Sequence, residues 1–471
     1  MKHFSFILLA ALLALSSTQV YGWSLKDESG ELLKVNGHMQ YRGRYYDLDF
    51  IRGGDQDQKG HLNRHNYYGD LSLSFGITPH ENITAFFEFN KLIFLGQEFR
   101  YNTIQTGEEV MPEDVPFTIT DAQGKTISVK LPLRRNTDEA WEPHLRQAWM
   151  DVKFPGMKLK LKFGRQPFQL GNGIYTNTNI ASVFGYQFHT DLGPGKPEFR
   201  AGSMKYYEGL RENYNYDYNV NDVDDVDLFF GDLSIPIQKS KLGLFLTYFR
   251  DNSQDLNLLS HINLGMTLDL ATQSGWSLKS EFDYQNGKKE YSTGSDIDWT
   301  GYAFMASVGF PPLANKKLRL SAEFGIGSGD DPATPNKFEG YVAVGPFYPY
   351  AWAYEYRFIH LVHNASNFFA LHSRGMATNL APGMENTTYF KTTWAFSLPH
   401  KCAFIFSPIW LGLTQQGETF GWEFDNIFIA PVWKNFSYMF VFAYVQPADW
   451  MKNRGFDDPA FGIRSQLEFT F

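Results

Sequence analysis

Phe461-Gly-Ile-Arg-Ser-Gln-Leu-Glu-Phe-Thr-Phe471 closes the chain. Phe461, Ile463, Ser465, Leu467, Phe469 and Phe471 fall on one face, and Gly462, Arg464, Gln466, Glu468 and Thr470 on the other. Successive side chains of a strand point to opposite faces, so this strand is apolar on one side and polar on the other. A single such strand would suit a half-buried sheet in any protein. Repeated along the chain, and finishing on an aromatic, it describes the closing strand of an outer-membrane barrel.

The pattern recurs upstream. Val35, Gly37, Met39, Tyr41 and Tyr45 alternate with Lys34, Asn36, His38, Gln40, Arg42 and Arg44. Leu71, Leu73, Phe75 and Ile77 alternate with small or polar residues, and Leu159, Leu161 and Phe163 with Lys158, Lys160 and Lys162. Further alternating segments continue to Ile326, with a weaker one at 198–207, and resume at 387–398, 402–413, 421–432, 436–446 and 461–471. The count is about 18 strands, each near the roughly 9 to 11 residues of a tilted membrane strand. Residues 328–386 break the pattern and form a large loop; two strands within 350–373 would raise the count to about 20, by the same alternation. A second large loop covers 95–143.

Connections sort by length. Short ones are expected near 78–82, 155–157, 191–197, 236–240, 272–275, 311–317, 399–401 and 433–435, with a longer one between each successive pair. Short turns on the periplasmic side and long loops outside are how outer-membrane strands are joined. The expected fold is therefore all-β: a transmembrane, antiparallel, up-and-down β-barrel spanning residues 23–471.

Composition and address agree with this. Residues 1–22 begin Met1-Lys2-His3, continue with an apolar run and end Val20-Tyr21-Gly22, the form of a secretory signal peptide. No later stretch has the 18 or more apolar residues of a helical span. Aromatics are 17% of the chain, as girdles at two membrane interfaces would require. The net charge of −9 argues against a nucleic-acid partner. One cysteine, Cys402, excludes a disulfide framework.

About 18 strands close around an aqueous channel, too wide for side chains to fill. Charge is costly on the lipid face and tolerated in the lumen. With the apolar face outward, Arg42, Arg44, Lys160, Lys162, Lys279, Arg319 and Arg464 turn inward, together with Glu88, Asp269, Glu281, Glu323, Glu423, Asp425 and Glu468. Rings of Lys and Arg favour an anionic solute. His61 and His65 lie on a loop and do not imply a metal. The acidic run 221–227 lacks the Gly and closing Glu of a calcium loop. No Gly-x-Ser-x-Gly motif is present, so an enzyme is not expected, nor is any cofactor.

Three motifs carry a resemblance. Leu145-Arg-Gln-Ala-Trp-Met-Asp151, Pro155-Gly156 and Lys162-Phe-Gly-Arg-Gln166 come first; Gly327-Ser-Gly-Asp-Asp-Pro332 with Lys337-Phe338 follows; Gly421-Trp-Glu-Phe-Asp425 is last. In this order they resemble the alginate-export family of outer-membrane porins. The resemblance implies a monomeric 18-stranded barrel of the Gram-negative outer membrane. Its lumen, narrowed by loops, would pass an anionic polysaccharide outward, with room for a periplasmic export partner. It gives pore roles to Arg165, Asp330, Asp331, Glu423 and Asp425. Two departures stand out: Pro167-Phe-Gln-Leu-Gly-Asn-Gly173 replaces a more charged loop, and 350–386 is enlarged. Both lie where a solute would be selected. The alternative is a barrel that sheathes a partner protein such as an electron-transfer cytochrome.

Overall fold

The structure is a computed structural model and describes residues 23–27, 30–47, 63–94, 116–120, 126–130, 144–178, 182–190, 192–193, 195–207, 226–254, 257–291, 296–313, 317–331, 333–334, 336–344, 386–415, 417–453 and 459–470. The leader, the 350–373 alternation, His61 and residues 221–225 lie outside these.

Strand β1 (Trp23–Asp27) turns into the long β2 (Gly30–Asp47), which is followed by β3 (Asn63–His80) and β4 (Ile83–Phe94). The 95–143 connection holds its own hairpin, β5 (Pro116–Thr120) and β6 (Thr126–Lys130). The wall resumes with β7 (His144–Lys153), β8 (Leu159–Gln166), β9 (Val183–Thr190) and β10 (Glu198–Tyr207). Then come β11 (Val226–Ile237), β12 (Ser240–Gln254), β13 (Asn257–Ala271) and β14 (Ser277–Tyr291). After β15 (Ile297–Gly309), β16 (Leu318–Gly327) and the two-residue β17 (Lys337–Phe338) stand β18 (Thr387–Ser397) and β19 (Ala403–Leu413). The last three are β20 (Thr419–Trp433), β21 (Phe436–Pro447) and β22 (Ala460–Thr470).

Setting aside β1, β17 and the β5–β6 hairpin leaves 18 strands, each antiparallel to its neighbours. The ring closes where His38–Asp47 of β2 pair with Thr470–Phe461 of β22. β1 pairs with residues 30–35 on the same edge of β2, the part that β22 does not reach. At the other end of the sheet β17 runs parallel to β15 at Asp298 and Trp299, above the point where β16 has ended. Both short strands satisfy backbone groups that the stagger of a tilted barrel would leave open.

The wall is inside-out. Phe184 is 64% and Leu264 58% exposed on the outer surface, whereas Glu281 is 1% and Asp283 0% exposed within. Alternation therefore sorts the side chains as expected, lipid-facing apolar against lumen-facing polar.

Two expectations need correcting. Several strands are longer than a membrane crossing needs: β2 and β3 have 18 residues and β12, β13 and β14 have 15. They also remove some of the long connections. Only 255–256 separate β12 from β13, and five residues join β14 to β15 and β19 to β20. Continuing the ladder beyond the bilayer satisfies backbone groups that a loop would leave to water, so the sorting by length fails at these three places.

Candidate functional site in the lumen

The register brings basic residues into one row. Lys153 of β7 pairs with Lys160 of β8, Lys160 with His189 of β9, His189 with Arg200 of β10, and Arg200 with Asp232 of β11. Strands lie about 4.8 Å apart, so four basic side chains follow one another round the inner wall. All share the inward parity of the buried Gln166, Gln187 and Met204. Arg200 donates to Asp232 Oδ2 through Nε at 2.7 Å, and its NH2 reaches the Gln169 carbonyl at 3.3 Å.

Beside this row the wall is braced. Lys162 pairs in register with Asp151, and its Nζ sits 3.9 Å from the centroid of the Trp149 ring, on which Phe86 also stacks. Trp149 donates to Gln147, and Gln147 to Glu88 at 2.6 Å. A β-bulge opposite Glu88 and Phe89 lets the neighbouring Arg146 turn to the same carboxylate at 3.0 Å.

Two segments fold into the channel. The first, 167–178, is a small hairpin: Thr178 and Phe168 exchange backbone and hydroxyl bonds, and Gly171-Asn172-Gly173 forms its tip. Glu281 accepts the backbone N–H groups of Asn172 and, at 3.3 Å, Ile174, while Asn172 Nδ2 donates to the Ser280 carbonyl. Gly171 has φ +54°, and a Cβ there would lie 2.8 Å from the Glu281 carboxyl, so both backbone and space demand glycine. The tip reaches deep. The ladder row through Arg165 arrives at Lys288 on β14, and the contact at Glu281 is seven residues nearer the short turns, about 23 Å along the strand. Higher up, the Tyr175 hydroxyl meets His261 Nε2 at 3.1 Å and Thr176 meets the Tyr206 hydroxyl.

The second segment, 328–344, is tied at its base by Ser328 to the Tyr302 backbone. Gln285 grips Val342 twice, donating to its carbonyl at 2.7 Å and accepting its N–H at 3.0 Å, as a neighbouring strand would. Tyr341 donates to Asp283, which also accepts from Asn263. The segments then join: Val344 donates to the Tyr175 carbonyl at 2.8 Å. Beneath them is an apolar core inside the barrel, where Phe168, Leu170 and Ile174 cover Met204, Phe230 and Phe245. Strands β10–β12 and β15 thus carry buried apolar side chains on their inner face as well, which alternation alone does not anticipate, whereas β14 stays polar there with Glu281, Asp283 and Gln285.

The residues singled out from sequence are dispersed. Lys160 and Lys162 lie together on the inner wall. Glu323 is inward, opposite Lys391, and accepts from the Tyr389 hydroxyl. Arg319 occupies an exposed inner-parity position near the short turns, and Glu423 and Asp425 are buried on the inner parity of β20. Arg42 pairs with Gln466 and Arg44 with Arg464 across the seam. Asp330 and Asp331 do not act as a free acidic pair. Asp330 accepts the Glu339 N–H and Asp331 the Ala333 N–H, and both serve to fold the segment. Arg165 is misplaced: its parity is that of Phe163, and it pairs with Phe184 on the outer face. Missed were Lys153, His189 and Arg200, because a single strand carries no signal of its neighbour's register.

No family model matches the sequence, and no curated protein matches it. The alginate-export resemblance therefore gains no support from either comparison. Solved structures of similar fold include OccK9 (OpdG) of Pseudomonas aeruginosa, at 11% identity, covering 93% of this chain and 98% of that one with a TM-score of 0.50. Another is OccAB4 of Acinetobacter baumannii, at 14% identity over 93% and 98% with a TM-score of 0.49. A third is P. aeruginosa OpdK, solved with vanillate, at 12% identity over 93% and 98% with a TM-score of 0.48. With its inside-out wall and closed ring, the chain is an 18-stranded β-barrel of the Gram-negative outer membrane, sharing the general architecture of the Occ and Opd porins.

Proposed function

We propose that the barrel is a passive channel selective for anionic solutes. The observation that supports this most is the inward row Lys153, Lys160, His189 and Arg200, with Lys162 one step along β8. A solute moving past it would exchange hydration for the successive Lys and Arg cations, with His189 as a hydrogen-bonding partner between them, each weak enough to release it. The two folded segments narrow the passage, so the row works at close range rather than across open water. They also occupy space that a sheathed partner protein would need, which weighs against the scaffold alternative. An alginate-like polysaccharide is the finer assignment. It rests on the motif resemblance, and a polyuronate is chemically suited to a row of cations.

The test is single-channel recording in planar bilayers under a salt gradient. The parent protein gives an anion-selective reversal potential, and Lys160→Glu combined with Arg200→Glu weakens or inverts it. Arg165→Glu, on the outer face, leaves it unchanged. A cation-selective parent, or one that carries no current, sinks the proposal. Block by oligouronates at lower concentrations than by single uronic acids would favour the polymer.

A further inference from the structure

Three successive short turns, 272–276, 310–317 and 398–402, join into one surface on the periplasmic rim. Trp276 packs on Phe310 with ring centroids 5.0 Å apart. The next turn folds back on itself, with Leu313 and Leu318 exchanging backbone N–H to carbonyl bonds at 2.8 and 3.1 Å. It is tied to the third, since Ser397 donates to the Lys317 carbonyl at 2.7 Å.

The surface has two kinds of side chain. Trp276, Phe310, Leu313 and Leu398 are large, apolar and exposed, and beside them Lys317, His400 and Lys401 are exposed as well. Directly above on the outer face Leu278 pairs with Val308 and Leu318 with Phe396, so the apolar members continue the lipid-facing band. The polar ones stand where that band ends and head groups begin. In sequence the three turns hold no Asp or Glu. Among the described residues, no carboxylate lies within ion-pair distance of Lys317, His400 or Lys401. Asp269, which leads into the first turn, is on the inner parity of β13 and pairs with Lys241 and Lys279.

The third turn is built against preference. A two-residue hairpin turn with both central residues at positive φ calls for Asn-Gly or a similar pair, yet His400 and Lys401 hold φ +57° and +62°. Among the described residues no other turn places two consecutive non-glycine residues there. A side chain resists that conformation, and packing does not demand either one, because both are exposed. Residues kept in an unfavourable backbone state mark sites where the side chain has a task.

We infer that this patch binds the head group of an acidic glycerophospholipid in the inner leaflet. The ammonium groups of Lys317 and Lys401 match phosphate oxygens, and His400 adds a ring N–H donor between them. Trp276 and Phe310 lie along the acyl chains, as aromatics at a membrane interface do.

The experiment is native mass spectrometry of the full barrel in detergent with cardiolipin and with phosphatidylcholine of the same acyl chains. The parent retains cardiolipin about tenfold better, since each lysine beside an anionic head group adds its own attraction. Lys317→Gln with Lys401→Gln abolishes that preference. Lys401→Gly relaxes the left-handed backbone, so it keeps the fold, and still lowers the preference about threefold. Lys337→Gln with Lys452→Gln, the same charge loss at the long-loop end, leaves it intact. Heat-modifiable migration confirms that each variant is folded. Equal retention of both lipids by the parent, an unchanged preference in the double variant, or displacement by millimolar inorganic phosphate as readily as by cardiolipin would overturn the assignment.

Discussion

Over β7–β10, near the short turns, the inner wall offers Lys153, Lys160, His189 and Arg200 to the channel, whereas over β12–β15 it offers Phe245, Glu281, Asp283 and Trp299 to protein. The ring is continuous and the alternation the same, yet one sector turns basic side chains to the channel, with Arg200 alone of these reaching an inward segment, while the other anchors the segments that shape the passage. A carboxylate on the inner face is thus ambiguous until its partner is known. Glu281 and Asp283 hold backbone and hydroxyl groups of the folded segments, and neither is a spare charge for an ion to meet.

That contrast can be broken most severely at the hairpin tip. Gly171→Val places a branched side chain against the Glu281 carboxyl in a left-handed backbone conformation that valine resists. The 167–178 segment should leave its seat, and unitary conductance should rise several-fold. The reversal potential should keep its sign but weaken, since Lys153 and Lys160 stay on the wall while Arg200 loses the Gln169 carbonyl to which it donates. A conductance equal to that of the parent would mean that the segment does not narrow the channel.

A milder change separates the two segments. Gln285→Leu deprives the Val342 N–H and carbonyl of their partner, at a cost of about 2–4 kcal/mol for two groups left unsatisfied. Residues 328–344 should then open intermittently, seen as flicker between two conductance levels, while 167–178 remains docked through Glu281. Steady current in this variant would show that Gln285 is not a principal tether.

The smallest effect concerns acidity. Burial raises the Asp330 carboxyl above the ordinary carboxylate range; the Glu339 N–H it accepts works the other way, and the charges of Glu339 and Asp331 add to the rise. Because the folded segment favours the neutral acid, its stability is greatest at low pH and is lost as pH rises through the raised value. Lowering the pH from 7 into the ordinary carboxylate range should lengthen closed dwell times slightly, and Asp330→Asn should flatten that dependence. An unchanged slope in Asp330→Asn would assign the effect to another group.

The ring was legible because its signal is local. Leu242 to Tyr248 or Leu264 to Leu270 reveal a lipid-facing strand without reference to any neighbour, and the closing strand Ala460–Thr470 stands where alternation puts it. The lumen was less legible, for two physical reasons. Register joins Lys160 to His189 and Arg200 through hydrogen bonds between strands, which no one strand encodes. Burial against an inward segment also inverts the inner face: Met204, Phe230 and Phe245 break the polar alternation, and the segment that covers them comes from distant sequence. A usable clue did exist in Gly171-Asn172-Gly173, a tight-turn signature among apolar residues. Arg165 teaches the opposite lesson. Parity with Phe163 already placed it outside, and the motif resemblance suggested otherwise.

The seam between β2 and β22 sets the order of events in assembly. Most ladders join strands adjacent in sequence and can zip as soon as both are made, but His38 must find Thr470 across nearly the whole chain. Pairings of such high contact order are slow, because the entropy of the intervening chain is lost before any bond forms. Until that meeting, an open sheet would expose two unpaired edges, which hydrocarbon does not tolerate. Insertion and circularisation are therefore one kinetic problem, and β1 covers residues 30–35 of the β2 edge, the part that β22 leaves open even after closure.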